Sequence, residues 1–171
     1  GAGGSIGAEL CRQILQLSPR ALILLESSEL SLYSVEQELR QNLSASVKLL
    51  PVLGSATDPV LMQRLFAEHG VQTVFHAAAY KHVPLVEANP LAGLANNVGS
   101  TRVVCQAAVA AGVSEVVLIS TDKAVRPTNV MGASKRLAEL VVQASAQELF
   151  QSAKGAGQSR TRLAIVRFGN V

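Results

Sequence analysis

The stretch that decides the fold is GAGGSIGAELCRQILQL, residues 1–17, because four glycines lead directly into a helical pattern. Gly1 suits a tight turn, Gly4 a close approach of the backbone to a ligand, and Gly7 a helix packed against the loop. The first free N–H groups of that helix, together with its dipole, attract anions. The loop therefore predicts an anion site at a strand-to-helix junction, although a tight turn without a ligand would need some of the same glycines.

Downstream of this loop, apolar runs alternate with helical patterns, which is typical of βαβ units and a parallel sheet. The strands are predicted at residues 21–26, 47–53, 71–79, 113–120 and 162–168. The helices are predicted at about residues 5–17, 28–42, 58–69, 90–111 and 131–150. Because the strand segments are almost continuously apolar, both faces of the sheet should be covered. The expected fold class is α/β, a doubly wound parallel sheet of the Rossmann type with strand order 3-2-1-4-5-6.

Glu26 ends the first of these strands, close to the usual spacing between such a glycine loop and a ribose-binding carboxylate. A carboxylate there accepts a hydrogen bond from a ribose 2′-hydroxyl and repels a 2′-phosphate, so Glu26 by itself favours NAD over NADP. The alternative is that Glu26 supplies negative charge at the start of the next helix, with Ser27 or Ser28 as the cap. Asp58 is expected to cap the helix that follows.

No strand precedes Gly1, although the strand before such a loop is central in this order. We therefore expect residues 1–171 to be an NAD(P)-binding Rossmann domain fragment of a longer polypeptide. In this interpretation the first strand and the C-terminal substrate part are absent from the chain. Residues 152–159, which are small and polar, are predicted to form a surface connector.

The composition restricts the class of protein. A chain of 171 residues with 49% hydrophobic and 16% charged residues is long enough for one globular domain. No run of about 18 apolar residues occurs, so no membrane span is expected in this segment. With 4% aromatic residues and a net charge of +3, nucleic-acid binding is not expected. Cys11 and Cys105 have no CxxC or histidine neighbour, so we expect buried reduced thiols, no metal site and a cytoplasmic location.

The segment STDK, residues 120–123, follows an apolar strand at the sheet edge where doubly wound folds bind ligands. Met131 and Lys135 are four residues apart and therefore share a face of the next helix. If that helix packs on the sheet, Lys135 reaches the ribose hydroxyls and Met131 lies over the reacting centre. In the alternative interpretation, Asp122 and Lys123 form a solvated turn pair and Met131 belongs to the core.

Two other strand ends carry small residues. Ser55 and Ala56 follow the second predicted strand and are expected beside the adenine of the cofactor. Ala77, Ala78 and Ala79 end the third, where small side chains leave space for a nicotinamide ribose or simply pack tightly.

Several segments together are similar to the extended short-chain dehydrogenase/reductase superfamily. They are GAGGSIG, HAAAYKHVPLVE, NNVGSTRVV, STDKAVRPTNVMGASKRLAEL and VRFGNV. The segments TDKAVRPTN and YKHVPLVE resemble more narrowly the CapD/WbpM-like group of polysaccharide-biosynthesis nucleotide-sugar 4,6-dehydratases. The resemblance covers nearly the whole chain.

The resemblance implies a lyase that converts a UDP-N-acetylglucosamine-type sugar into its 4-keto-6-deoxy product. Hydride leaves C4 for the nicotinamide, a proton leaves C5 as hydroxide leaves C6, and the hydride then returns to C6. By position, Thr121 resembles the residue that bonds the C4 oxygen, Asp122 the acid for the C6 hydroxyl, and Lys123 the base at C5. Lys135 matches the superfamily lysine that orients the cofactor ribose and lowers neighbouring pKa values.

Loop and resemblance together define the expected binding sets. The cofactor set is Gly1, Gly4, Ser5, Ile6, Gly7, Glu26, Ser55, Ala56, Ala77, Ala78, Ala79 and Lys135. The substrate set is Lys81, His82, Asn97, Arg167 and Asn170. The resemblance implies NADP, in contrast to the NAD that Glu26 favours, and both stay open here. A UDP-sugar substrate and a homo-oligomeric full-length protein, which many relatives anchor through an upstream membrane segment, are also expected.

The chain departs from the superfamily at Met131, where a tyrosine usually stands four residues before the lysine. A thioether neither donates nor accepts the proton that a phenol handles. The membrane-linked dehydratases resemble this chain in having methionine there, so the C4 proton needs another route through Thr121, Asp122 or water. A C4-epimerase of the same fold and a non-catalytic nucleotide-binding module are the alternatives. The Asp122–Lys123 pair argues against the epimerase, which needs no acid or base at C5 and C6, and the intact TDK segment argues against the non-catalytic module.

Overall fold

The computed structural model describes residues 1–152 and 161–169. The seven α-helices in these ranges are α1 Ser5–Gln16, α2 Glu29–Gln41, α3 Pro59–His69, α4 Val83–Ala88, α5 Pro90–Leu94, α6 Ser100–Ala110 and α7 Val130–Ser152. The five strands are β1 Ala21–Glu26, β2 Lys48–Leu53, β3 Thr73–His76, β4 Glu115–Thr121 and β5 Arg162–Phe168. A π-helical turn joins α5 to α6, and a 3-10 turn follows β4. None of the helices in the described ranges is both long and apolar enough to cross a membrane.

The chain divides into two compact units, Gly1–Ser55 and Ala56–Val171. In the first unit β1 and β2 pair in parallel, from Ala21 opposite Lys48 to Glu26 opposite Leu53. Helix α1 packs on β1, and α2 packs on both strands. The core of this unit consists of Cys11, Leu24, Leu32, Val35, Leu39 and Leu49.

In the second unit β4 is the central strand of a parallel sheet with the order β3-β4-β5. Leu118 of β4 packs with α6 and α7 in a buried cluster that also contains Cys105, Ala138 and Val142. Burial of each of the larger side chains, Leu118 and Val142, contributes about 1.5–3 kcal/mol to the free energy of unfolding. The end of β4 is thus held rigidly where the candidate catalytic residues begin.

The α/β fold class is confirmed. The neighbours β2–β1 and β3–β4–β5 are those of strands 3-2 and 4-5-6 in the doubly wound order. Cys11 and Cys105 are free and buried, as predicted. Asp58 caps α3 by accepting from the N–H groups of Val60 and Leu61, also as predicted.

Two predicted strands have wrong bounds, and one helix was missed. Strand β3 ends at His76 and not at residue 79, and α4 was not predicted at all. Strand β4 runs over Glu115–Thr121 and not over 113–120, so Thr121 belongs to the strand. The connector predicted at 152–159 falls outside the described residues, apart from residue 152, which belongs to α7.

Candidate functional site

The glycine loop of the first unit leads into α1, whose N-cap is Gly4 and which has no side-chain cap. The first N–H groups of a helix have no partners within it, so this end of α1 is able to bind an acceptor. A Cβ at Gly7 would collide with the carbonyl oxygen of Gly1, which means that the helix touches its own loop. A Cβ at Gly4 would meet only that same oxygen, at an ordinary 3.5 Å. The protein itself therefore requires glycine at position 7 but not at position 4.

Gly3 also has a steric requirement, which the sequence analysis missed. A Cβ at this position would lie 2.6 Å from the Cβ of Ser31 on α2. Its N–H donates to Oε2 of Glu26 over 3.0 Å. The spacing rule for such loops assigns roles to glycines that are three residues apart, which are Gly1, Gly4 and Gly7. The tertiary contact between Gly3 and α2 could not be predicted from this rule.

Glu26 is buried, and its carboxylate is surrounded by backbone donors. Oε1 accepts from the N–H groups of Ser27 and Ser28 at 2.9 and 3.0 Å, and Oε2 accepts from Gly3. Burial alone would raise the pKa of Glu26, but the N–H groups of Ser28, Gly3 and Ser27 lower it below its usual range. Ser28 caps α2. The carboxylate therefore performs the helix-terminal role that we considered as the alternative, and remains charged beside the glycine loop.

At the end of β2 the chain crosses from one unit to the other. Ser55 is half-buried and Ala56 is buried. The N–H of Gly54 donates to the carbonyl oxygen of Glu26 over 2.9 Å, so this segment continues the parallel pairing of β1 and β2 for one more residue.

The end of β4 presents Thr121, Asp122 and Lys123 in one 3-10 turn. The hydroxyl of Thr121 donates to Oδ1 of Asp122 over 2.9 Å and accepts from the N–H of Lys123 over 3.3 Å. Nζ of Lys123 lies 3.7 Å from the same Oδ1, with 41% of the lysine side chain and 54% of the aspartate side chain exposed. The hydrogen bond from Thr121, followed by the charge of Lys123, holds the pKa of Asp122 below its usual range. Asp122 is thus a carboxylate at neutral pH in this structure.

The start of α7 packs directly against that turn. A Cβ at Gly132 would overlap the carbonyl oxygen of Lys123. The side chain of Asn129 caps the helix by accepting from the N–H of Gly132 over 2.7 Å, and Glu87 of α4 accepts from Val130 over 2.6 Å. The sequence analysis assigned no role to Gly132. An asparagine three residues before a helical glycine was the signal that could have located this cap.

Met131 and Lys135 are both buried, at 4% and 6% exposure. Nζ of Lys135 donates to the carbonyl oxygen of Ile119 on β4 over 2.7 Å. Burial lowers the pKa of Lys135 to about 8, and the charge of Glu139 opposes that shift. The two residues do share a face of α7 that packs on the sheet, as expected. The burial of Met131 also agrees with the alternative of a core residue.

The loop after β3 holds Ala77, Ala78 and Ala79, which are half-buried, and then exposed Lys81 and His82. Pairing with β4 ends at His76, and beyond it the side chain of Asn97 binds the backbone of this loop. Oδ1 of Asn97 accepts from the N–H of Tyr80 over 2.7 Å, and Nδ2 donates to the carbonyl oxygen of Tyr80 over 3.1 Å.

Asn97 was expected in the substrate pocket, and the structure corrects this. The residue lies in the π-helical turn at 1% exposure, and it also accepts from Asn96 and donates to Ser134 Oγ over 2.8 Å. All four hydrogen-bonding positions of its amide are used within the protein. Asn97 supports the loop of Lys81 and His82 instead of contacting a ligand.

Arg167 was also expected to reach the substrate. Its Nε and Nη2 instead donate to Oε1 and Oε2 of Glu139 over 2.8 and 2.7 Å. Glu139 is fully buried, and we did not predict a role for it. Because a buried carboxylate needs a compensating charge, the guanidinium of Arg167 is committed to α7. Asn170, the last residue of the expected substrate set, lies outside the described residues.

Taken together, the parallel α/β sheets, the glycine loop and the lysine of α7 define a Rossmann-type protein of the extended short-chain dehydrogenase/reductase class. The sequence model of a family described as polysaccharide biosynthesis protein matches residues 1–171. The chain belongs to this family.

Relatives of known name support this assignment. The chain is 43% identical over 171 residues to the capsular polysaccharide biosynthesis protein CapD of Staphylococcus aureus, covering 100% of this chain and 27% of that protein. It is 35% identical over 178 residues to an inverting UDP-N-acetylglucosamine 4,6-dehydratase of Campylobacter jejuni, covering 100% of this chain and 47% of that enzyme. A UDP-glucose 4-epimerase of Rickettsia canadensis is 44% identical over 105 residues, which are 61% of this chain and 29% of that enzyme.

Solved structures agree with the fold. Pen from Bacillus thuringiensis superimposes with a TM-score of 0.85 at 30% identity, covering 100% of this chain and 50% of that one. DesIV from Streptomyces venezuelae, a dTDP-glucose 4,6-dehydratase solved with NAD, gives a TM-score of 0.74 at 26% identity, covering 98% and 53%. The chain thus spans about a quarter to a half of the length of these relatives.

Proposed function

We propose that this chain is the cofactor-binding and catalytic part of a nucleotide-sugar 4,6-dehydratase that acts on a UDP-N-acetylhexosamine in surface polysaccharide synthesis. The observation that carries the proposal is the Thr121–Asp122–Lys123 turn. It offers a hydroxyl, a carboxylate and an amine within one turn at the carboxyl end of a parallel strand. This is the edge where such sheets bind their ligands. The similarity to the Campylobacter dehydratase supports the same choice.

Each unit, taken by itself, has residues that suit one part of a dinucleotide. The uncapped start of α1 suits a diphosphate. The buried charge of Lys135 suits the ribose hydroxyls beside the nicotinamide. When bound, the nicotinamide would accept hydride from C4 of the sugar and return it to C6.

For the cofactor we propose NAD. The ionised Glu26 is fixed by three backbone N–H groups and is able to accept further from a ribose 2′-hydroxyl. A 2′-phosphate at that place would meet a carboxylate that cannot swing away, because its hydrogen bonds hold it against the loop. Electrostatic repulsion therefore disfavours NADP.

The proton route follows from the geometry of the turn. Oxidation at C4 releases the hydroxyl proton, and Thr121 passes it to Asp122, to which it is already hydrogen-bonded. This makes Asp122 a carboxylic acid, so it then protonates the C6 hydroxyl, which leaves as water. Lys123, once its ammonium has lost a proton to solvent, takes the C5 proton and later returns it. Met131, being buried and without an ionisable group, is not needed in this sequence of transfers.

The substrate would be recognised by the loop after β3. Lys81 and His82 are exposed on it, and a lysine is a common ligand of nucleotide phosphates. Arg167 and Asn97 would act indirectly, by fixing β5 and this loop.

The test uses the full-length protein with UDP-N-acetylglucosamine. Mass spectrometry should detect a product that has lost one water, and Asp122→Asn or Lys123→Ala should reduce its formation at least 100-fold. Glu115→Gln, at the opposite end of β4, is the matched control and should stay active. Full activity of both Asp122→Asn and Lys123→Ala would refute the assignment.

The similarity to a UDP-glucose 4-epimerase favours a second candidate. An epimerase needs no acid or base at C5 and C6, so its product has the mass of the substrate. A product of unchanged mass would select the epimerase. Stoichiometric NAD binding without any turnover would select a non-catalytic module.

The cofactor proposal has its own test. Calorimetric titration should show tighter binding of NAD than of NADP, and Glu26→Ser should narrow the difference at least tenfold. Glu29→Ser, an exposed acid at the start of α2, is the control and should leave the preference unchanged.

A further inference from the structure

Glu139 is a charged group for which the proposed reaction gives no role. Its side chain is completely inaccessible, and all four of its acceptor positions are occupied. Oε1 accepts from Ser120 Oγ over 2.7 Å and from Arg167 Nε, while Oε2 accepts from Arg167 Nη2 and from Arg136 Nη1. These partners lie on β4, on β5 and on α7 itself. One carboxylate therefore joins three elements.

The position of this cluster relates it to the candidate catalytic turn. Helix α7 holds two consecutive residues of β4 with two side chains spaced four apart. Lys135 binds the carbonyl oxygen of Ile119 over 2.7 Å, and Glu139 binds the hydroxyl of Ser120. The next residue of the strand is Thr121. Any loosening of this double contact would move the turn that carries the proposed chemistry.

The cluster also affects the charge of Lys135. Other charged or titratable groups on the elements around α7 are Glu87 of α4, Arg102 of α6, His76 of β3, Glu115 of β4, Asp122 and Lys123 after it, Arg136 of α7, and Arg162 and Arg167 of β5. His76 is neutral because burial, together with the charge of Lys135, lowers its pKa to about 3. Glu139 is the negative group that opposes the loss of the proton from buried Lys135. The hydrogen bonds from Arg167 in turn lower the pKa of Glu139 to about 2, so it stays charged.

We propose that Glu139, fixed by Arg167, is a positioning residue that aligns the end of β4 through Ser120 and keeps the buried ammonium of Lys135 charged. The inference rests on the proposed function in two respects, namely that Lys135 serves the cofactor and that the turn after β4 carries the chemistry. The contacts and charges that carry it belong to the chain itself.

The primary test reads the protonation of Lys135 without any turnover. In the full-length protein carrying 13C-labelled lysine, the Cε resonance of Lys135, followed by NMR at a series of pH values, gives its titration curve without a reagent having to reach the buried amine. Glu139→Gln should shift the midpoint down by about one pH unit, since an attractive charge is lost. Arg136→Gln should shift it upward, because one neutralising charge is removed from Glu139. Arg162→Gln, on the same strand as Arg167, breaks the ion pair with Glu115 of β4 and should leave the midpoint unchanged.

The alignment role is tested separately by Ser120→Ala, which keeps the Glu139 charge. In an active enzyme this variant should lower kcat at least tenfold while KM and the alkaline limb of the pH profile stay in place. Equal Lys135 titration midpoints in wild type, Glu139→Gln and Arg136→Gln would overturn the electrostatic part of the proposal. An unchanged kcat in Ser120→Ala would overturn the alignment part. If Glu139→Gln does not fold, an unchanged or lowered midpoint in Arg136→Gln refutes the charge effect. Failure of the proposed function is recognised independently, because wild-type protein would then form no dehydrated product although its Lys135 titration is intact.

Discussion

The carbonyl oxygen of Lys123 lies against the Cα of Gly132, so closely that no side chain fits at position 132. This contact sets the distance between the catalytic turn and the start of α7. Asn129 caps the helix at the same place by accepting from Gly132 N–H over 2.7 Å. The relation explains why a glycine stands next to the methionine that replaces the usual tyrosine.

Gly132→Ala should therefore damage catalysis more than stability. The new methyl group has to displace the Lys123 carbonyl, and a displacement of this kind at a reacting group costs on the order of 100-fold in rate. The measurement is kcat/KM for the dehydrated product. Gly99→Ala is the matched control, because a Cβ there meets nothing within 4 Å. Equal activity of the two variants would show that the turn tolerates movement.

Gly4→Ala and Gly7→Ala should separate ligand binding from folding. A Cβ at Gly7 would collide with the Gly1 carbonyl, so Gly7→Ala should lower the free energy of unfolding, by about 1–3 kcal/mol for an overpacked site. Gly4 has φ −72° and only an ordinary contact, so Gly4→Ala should fold normally yet weaken NAD binding. Urea titrations and calorimetry measure the two effects. Undiminished NAD binding by Gly4→Ala would argue against a diphosphate at the start of α1.

Asn97→Ala should destabilise the second unit. It removes the partners of the Tyr80 N–H and carbonyl and one of the two partners of the Ser134 hydroxyl, which still donates to the Met131 carbonyl. Each buried polar group left unsatisfied costs about 1–3 kcal/mol. Asn96→Ala is the control. Within the described residues the Asn96 side chain donates one hydrogen bond, to Asn97, so its loss leaves the contacts between Asn97 and Tyr80 in place. Surface substitutions usually change the free energy of unfolding by no more than about 0.5 kcal/mol. A change within that limit for Asn97→Ala would contradict the supporting role of Asn97.

His76 should make stability dependent on pH. Its pKa is about 3 in the folded protein against an ordinary value of 6.5, so the unfolded chain binds the extra proton between those values. The contribution of His76 to the free energy of unfolding is therefore complete above pH 6.5. It is lost as the pH decreases towards 3, by at most about 1.4 kcal/mol per pH unit. His76→Asn should flatten this slope between pH 4 and 6, and exposed His82→Asn should not. Parallel slopes for wild type and His76→Asn, measured by urea unfolding, would exclude a neutral buried His76.

The sequence by itself determined the class of fold and the order of the strands. Apolar runs at residues 21–26 and 162–168 match β1 and β5 to the residue. Local rules also identified the Asp58 cap and the two buried cysteines. The segment TDK was recognised as a candidate site from its place after an apolar strand. Such features depend on neighbours in the chain, so they are written in local sequence.

Only the tertiary structure decided that certain polar residues expected to face a ligand hold the protein together. Asn97 and Arg167 looked like pocket residues, but partners far away in the sequence, the backbone of Tyr80 and the buried carboxylate of Glu139, occupy their hydrogen-bonding groups. Gly3 and Gly132 likewise owe their requirement to α2 and to the Lys123 carbonyl. A polar side chain in the sequence has the same donors and acceptors in either role. The choice is made by what lies within about 3 Å of it after folding, and the spacing of residues along a chain does not contain that information.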